Sequence, residues 1–314
     1  PPQPQLKTPV PNATKPISAA PAATAPYKPR KEQYSGPHCL LMGETGSGKT
    51  DSLLTVIEAG LELFVLVTEP TGAESLIDSC ERRKLDISKL HYAIVPPTAR
   101  TIDALLAQAT LVASNDFEGL AKLKPVGNRR DSQWFKMLHN IKNFHCDLTD
   151  KDFGDVTTWD DSRCIAIDSL SGISIMAADL VKGDKPSMHQ GEWGAGMSMI
   201  ETLCHTLSSS QKCMYIMTSH MDREPNELTG GTQITVSTMG RKLAPKLPRF
   251  FSEVIMSYQS NGKFLWKTSD PSAALKKRAL PLGSDLAPSF VPIIEAHRRR
   301  LKTTAEQRAQ AGTV

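Results

Sequence analysis

A chain of 314 residues, 39% hydrophobic and 22% charged, has room for one large α/β domain with tails or for two small domains. No apolar run approaches the roughly 20 residues a membrane span needs, and no charged segment followed by an apolar one opens the chain, so no membrane partner and no secretion are expected and a cytoplasmic setting is. The net charge of +4 is unevenly spread: residues 1–30 carry four bases and no acid, 31–240 nineteen bases against twenty-eight acids, and 241–302 thirteen bases against four acids, a basic segment suited to phosphates of nucleotide or nucleic acid.

Residues 1–36, rich in proline, alanine and threonine, bury too little to offset their ordering entropy and read as a disordered or extended arm. From Gly36 on, apolar runs alternate with helical patterns, which predicts an α/β domain over 37–294 with a mostly parallel central sheet flanked by helices. Strands are expected at 39–42, 63–68, 91–95, 163–167, 213–218, 253–258 and 264–267, the last two joined at Asn261 and Gly262 as a C-terminal antiparallel hairpin. Helices are expected at 49–59, 73–84, 101–114, 132–144 and 197–209. Residues 115–162 read as a helical insertion rather than core, with Trp134, Leu138 and Ile141 on one packing face, and 295–314 as a charged tail. The six cysteines show no CxxC pair and no zinc spacing with histidine, so reduced thiols are expected.

Gly43, Glu44, Thr45, Gly46, Ser47, Gly48, Lys49 and Thr50 form a complete GxxxxGK[ST] loop between an expected strand and an expected helix, the context such a phosphate loop requires. Its glycines let backbone N–H groups turn around an anion, Lys49 reaches the outer phosphates, and the Thr50 hydroxyl suits Mg²⁺. An ATP site with Mg²⁺ is expected here. Cys164 to Ile167 is an apolar strand running into Asp168, the form of a carboxylate that orients the metal. Ser169, not a glutamate, follows, so a base must come from elsewhere. Glu69, at the end of the apolar run 63–68, supplies one beside the phosphates, at the strand ends where ligands gather in open α/β sheets. Ser219 and His220 close another apolar strand and suit a sensor of the terminal phosphate.

With the loop at 43–50, the set Glu69, Asp168, Ser169, Ser219 and His220 resembles the RecA-like P-loop NTPase core, over about 36–290. More narrowly the chain is similar to phage-encoded RecA-like ATP-binding proteins, including short Sak-type recombination proteins, in Trp193 to Met197, Thr218 to Asp222 and Arg241 to Phe251. The resemblance implies two loops that contact single-stranded DNA, at about 177–196 and 221–248, the second carrying Arg241, Lys242 and Lys246. Lys276 and Arg278 resemble the paired Lys and Arg finger of helicases of the DnaB kind, which one subunit inserts into the next subunit's site; a ring or filament of identical subunits is implied. No amino-terminal domain like that of full-length recombinases and no polymerisation motif are recognisable, so stable filaments and strand exchange are not implied.

The expected function is a DNA-stimulated, Mg-dependent ATPase of phage recombination or replication acting on single-stranded DNA, with single-strand-binding or replication proteins as further partners. The alternative is a nucleotide-regulated protein-binding module, a replisome or packaging accessory with little DNA affinity. A small-molecule kinase is less favoured, because no compact lid with paired arginines stands between Asp168 and the next strand.

Overall fold

An apolar run without polar alternation makes a strand covered on both faces, and β1 (His38–Gly43) is buried throughout. The computed structural model describes residues 35–124, 132–210, 212–225 and 230–311; the expected arm at 1–34 lies outside them. After the phosphate loop come α1 (Lys49–Leu53) and α2 (Thr55–Glu58), two short helices where one was expected. Then follow β2 (Glu62–Val67), α3 (Gly72–Arg82), β3 (Leu90–Ile94), α4 (Ile102–Ser114) and α5 (Phe117–Lys122). The middle of the chain supplies α6 (Gln133–Lys142), the short pair β4 (His145–Cys146) and β5 (Lys151–Asp152), β6 (Arg163–Asp168), α7 (Leu170–Lys182) and α8 (Gln190–Ser210). The last elements are β7 (Met214–Ser219), the hairpin β8 (Met221–Pro225) and β9 (Thr232–Val236), β10 (Glu253–Ser260), β11 (Lys263–Lys267) and α9 (Val291–Ala311).

Seven strands form the central sheet in the order β11-β10-β1-β7-β6-β2-β3. All neighbours are parallel except β10 and β11, the C-terminal antiparallel pair, whose turn holds Asn261 and Gly262 at φ 50° and 73°. One face packs on α1, α2, α3 and α9 through Leu53, Leu76, Phe290 and Ile294. The other packs on α6, α7 and α8. Because β1 lies between β7 and β10, its C-terminal end opens on a crevice where the strand order reverses, the place that ligands favour in such sheets.

Three expectations about connections change. Residues 115–162 are not peripheral: Phe144, Cys146, Val156 and Trp159 belong to the core, with the Phe144 and Trp159 rings 5.2 Å and 4.3 Å from Phe64. On α6, Trp134, Met137 and Ile141 are the buried stripe, and Leu138 is only partly buried. The expected loop 177–196 is mostly helix, since α7 reaches Lys182 and α8 begins at Gln190. Gly196 lies in α8, where a Cβ would stand 2.6 Å from the sulfur of the flexible Met239 side chain. The expected loop 221–248 is the β8–β9 hairpin followed by a 3₁₀ segment, Ala244–Phe250. All six cysteines are buried thiols without disulfides. Among the described residues no helix is long and apolar enough to cross a membrane.

Candidate active site at the phosphate loop

The loop after β1 is shaped by glycines that no other residue replaces at low cost. Gly46 and Gly48 sit at φ 75° and 84°, and a Cβ at Gly43 would lie 2.5 Å from Ser47 Oγ and 2.6 Å from the Ser257 carbonyl oxygen. The Ser257 hydroxyl on β10 donates to the Ser47 carbonyl at 2.7 Å, fastening the loop to the sheet. Lys49 folds back over the loop and donates to the carbonyls of Gly43 and Glu44 at 3.0 and 2.9 Å. Burial lowers its pKa, opposed by the nearby carboxylates of Asp168 and Glu69. The Ser47 hydroxyl is buried without a partner.

Parallel register brings the other strand ends to the same edge. Asp168 closes β6 and accepts hydrogen bonds from the Thr50 hydroxyl at 2.7 Å and the Thr218 hydroxyl at 2.5 Å. Burial raises the pKa of its carboxyl, against those two hydrogen bonds. Thr68, next after β2, accepts from the Ser169 backbone N–H at 2.7 Å and places Glu69 beyond it. Gly172 on α7 makes this crossing possible, since a Cβ there would stand 2.2 Å from Thr68 Oγ1.

Glu69 accepts from the Ser169 hydroxyl at 3.1 Å and meets His220 Nε2 at 3.0 Å. The His220 contact, ahead of the Ser169 bond, holds the Glu69 carboxyl below the usual glutamate range. His220 Nδ1 lies 3.5 Å from the Thr45 hydroxyl, so one ring bridges the phosphate loop and the carboxylate. A ring that donates from Nε2 to Glu69 presents Nδ1 as acceptor to Thr45.

The expected site residues therefore separate into groups. Lys49, Thr50, Asp168, Glu69 and His220 converge around the loop. Ser219 is beside them in sequence but its hydroxyl donates to the His220 and Ser237 carbonyls, which occupies the group expected to sense phosphate. Lys276 and Arg278 lie at the opposite end of β10. The Lys276 amine donates to the Phe251 carbonyl at 2.7 Å, and the Arg278 backbone N–H donates to the buried Glu253 carboxylate at 3.0 Å. They do not reach the phosphate loop of their own chain. Of the expected DNA contacts, Arg241 pairs with Glu224 at 3.2 Å and Lys246 with Glu201 at 3.5 Å; Lys242 follows Arg241 in the exposed turn before Ala244–Phe250.

Three further residues belong to the arrangement and were not singled out from sequence as site groups: Thr68, Thr218 and Arg223. The two threonines close apolar runs, Thr68 just after β2 and Thr218 next to last in β7, a signal that could have marked them. Arg223, three residues after His220, reaches across to Glu44 at 2.6 Å. A cavity of about 560 Å³ opens beside the loop, walled by Glu44 to Ser47, Arg223, Tyr258 and Lys267 among others. A scan against protein-family models finds no match for this chain, and a search of curated proteins returns none.

Proposed function

We propose that the chain is a RecA-like, Mg-dependent ATPase that acts on single-stranded DNA in phage recombination or replication. The observation that carries this reading is the convergence of Lys49, Thr50, Asp168, Glu69 and His220, drawn from four strand ends, around one glycine loop. The donor set suits a magnesium-bound triphosphate: the Ser47 hydroxyl is orphaned and Lys49 is held only by loop carbonyls that a phosphate oxygen can replace. Thr50 and Asp168 would hold the cation, directly and through water. Among the described residues no three His, Cys, Asp or Glu side chains form a cage of their own, which fits an ion that draws its remaining ligands from phosphates and water. When bound, Mg²⁺ neutralises charge on the phosphates.

Hydrolysis needs a water aligned with the terminal phosphorus. Glu69 orients that water and takes its proton as the new P–O bond forms; the bond to the bridging oxygen breaks, and ADP leaves with that electron pair. Lys49 stabilises the charge gathered on the phosphate oxygens. His220, touching both Glu69 and the loop, is placed to couple the base to the presence of the terminal phosphate. Lys276 and Arg278 keep their proposed role as a finger toward a neighbouring subunit, and the exposed turn at Arg241 and Lys242 supports contact with a DNA backbone.

A second reading, a nucleotide-regulated protein-binding module, is favoured by α4. None of its residues is buried, and Ile102, Leu106 and Val112 are 71%, 61% and 49% exposed. Phosphate release by the full chain with and without single-stranded DNA, together with oligonucleotide binding across a salt series in the presence of a nonhydrolysable ATP analogue, separates the two. DNA-stimulated turnover, abolished by Lys49→Ala, with binding that weakens steeply in salt supports the ATPase on DNA. Nucleotide binding without any oligonucleotide binding at low salt supports the protein-binding module.

A further inference from the structure

We infer that Arg223 is a catalytic arginine supplied by the chain to its own site, parked at rest on Glu44 and transferred to the terminal phosphate when nucleotide binds. The inference rests on the nucleotide reading above. Arg223 lies on β8, three residues beyond His220, and its Nη2 meets Glu44 Oε1 at 2.6 Å. Glu44 is the second residue of the phosphate loop, and its carbonyl accepts from Lys49 at 2.9 Å, so Arg223 and Lys49 grip the same residue from two sides.

Three features make this pairing a resting place. Both side chains are more than half exposed, 61% for Arg223 and 62% for Glu44, and a water-exposed pair held by one hydrogen bond contributes little to stability. A triphosphate in the loop repels the Glu44 carboxylate and offers Arg223 a better partner, because a guanidinium fork matches phosphate oxygens with two parallel hydrogen bonds. Arg223 also rides on an element outside the central sheet: among the described residues β8 pairs with β9, and the hairpin is anchored by the Ser237 N–H to the His220 carbonyl at 2.8 Å and by the Ile234 N–H to the Ser272 carbonyl at 2.7 Å, a fixed base from which the exposed arginine side chain can turn. Among the described residues, the other cation in the wall of the adjoining cavity is Lys267. It is engaged with Asp270 at 3.5 Å and lies over the Tyr258 ring at 4.8 Å, whereas Arg223 borders the loop itself.

A guanidinium turned inward from this position adds positive charge where it builds on the transferred phosphoryl group, the role an arginine finger plays.

The test uses the full chain with Mg-ATP and compares Arg223→Ala, Arg223→Lys and Glu44→Gln, reading turnover and affinities for ADP and for ADP with aluminium fluoride. Arg223→Ala should lower kcat by about 100-fold or more with KM changed only a few-fold, and should lose the preference for aluminium fluoride while retaining ADP affinity. Arg223→Lys should recover only part of the rate, since a point charge lacks the fork. Glu44→Gln, which removes the charge that holds the arginine at rest, should lower KM. Arg223→Ala turnover within about threefold of the parent overturns the inference while leaving the ATPase reading intact. Equal loss of ADP and aluminium fluoride complexes also overturns it, because that marks damage to the pocket. A parent chain that binds no nucleotide removes the functional reading and this inference together.

Discussion

Replacing Glu69 by glutamine keeps the shape of the side chain and removes its charge, which isolates the chemistry assigned to it. The amide oxygen still accepts from the Ser169 hydroxyl, now 3.1 Å away, and from a His220 ring that donates at 3.0 Å. Glu69 is 48% exposed, so weakening its hydrogen bond with His220 should cost no more than about 1 kcal/mol, and the fold should tolerate the change. Turnover should not. A positioned base contributes about 10²–10⁴-fold, which corresponds to about 3–5 kcal/mol of barrier. ATP binding should persist or tighten, because a negative charge near the phosphates is gone. His220 and Ser169 hold the Glu69 carboxyl below its ordinary range, so it stays ionised through neutral pH. The ratio of parent to Glu69→Gln rates should therefore be constant from about pH 6 to about pH 9. Steady-state phosphate release, paired with binding of a fluorescent ATP analogue, measures both sides. Turnover by Glu69→Gln within about threefold of the parent, with binding intact, would refute the assignment of Glu69 to hydrolysis.

Two further substitutions probe how the scaffold supports the site. Gly172→Ala gains about 1 kcal/mol in helix propensity but drives a Cβ to 2.2 Å from Thr68 Oγ1, and overpacking of that kind costs about 1–3 kcal/mol. Because Thr68 holds Ser169, whose hydroxyl touches Glu69, kcat should fall more than ATP affinity; unchanged turnover with raised stability in urea would contradict this path of support. His38, at the start of β1, is driven by burial to a pKa of about 4 from 6.5, with its Nε2 unpartnered. The unfolded chain takes up that proton near 6.5 and the folded chain does not until about 4, so stability is full above pH 6.5 and declines as pH falls through this window. The loss by pH 4 amounts to about 3 kcal/mol from this group alone. His38→Leu should flatten the acid limb by that amount in urea midpoints measured from about pH 7 to about pH 4, and an identical limb in parent and variant would rule the group out.

What the sequence made legible follows from the geometry of a parallel sheet. Uninterrupted apolar runs marked every strand of the central sheet, and because all but β11 run the same way, residues that close those runs arrive together at one edge. Met42 pairs with Ser219, Val67 with Asp168 and Ile167 with Met217, so Lys49, Glu69, Asp168 and His220 meet at that edge. The same two-residue period explains why Ser219 turns away from Asp168. Thr218 faces Asp168, and its neighbour must face the other side of the pleat, where Ser219 bonds the Ser237 carbonyl. Choosing between them requires knowing that β7 lies beside β6, which no local pattern encodes. Cations outside the parallel strands had no such register to follow. Lys276 was carried by an antiparallel bridge to Val254 toward the far end of β10, and Lys246 was taken up by Glu201, forty-five residues earlier in the chain. Arg223 was invisible for the converse reason. Its sequence neighbourhood is an ordinary polar stretch, and only the fold of the hairpin back over the phosphate loop gives its charge a place in the site.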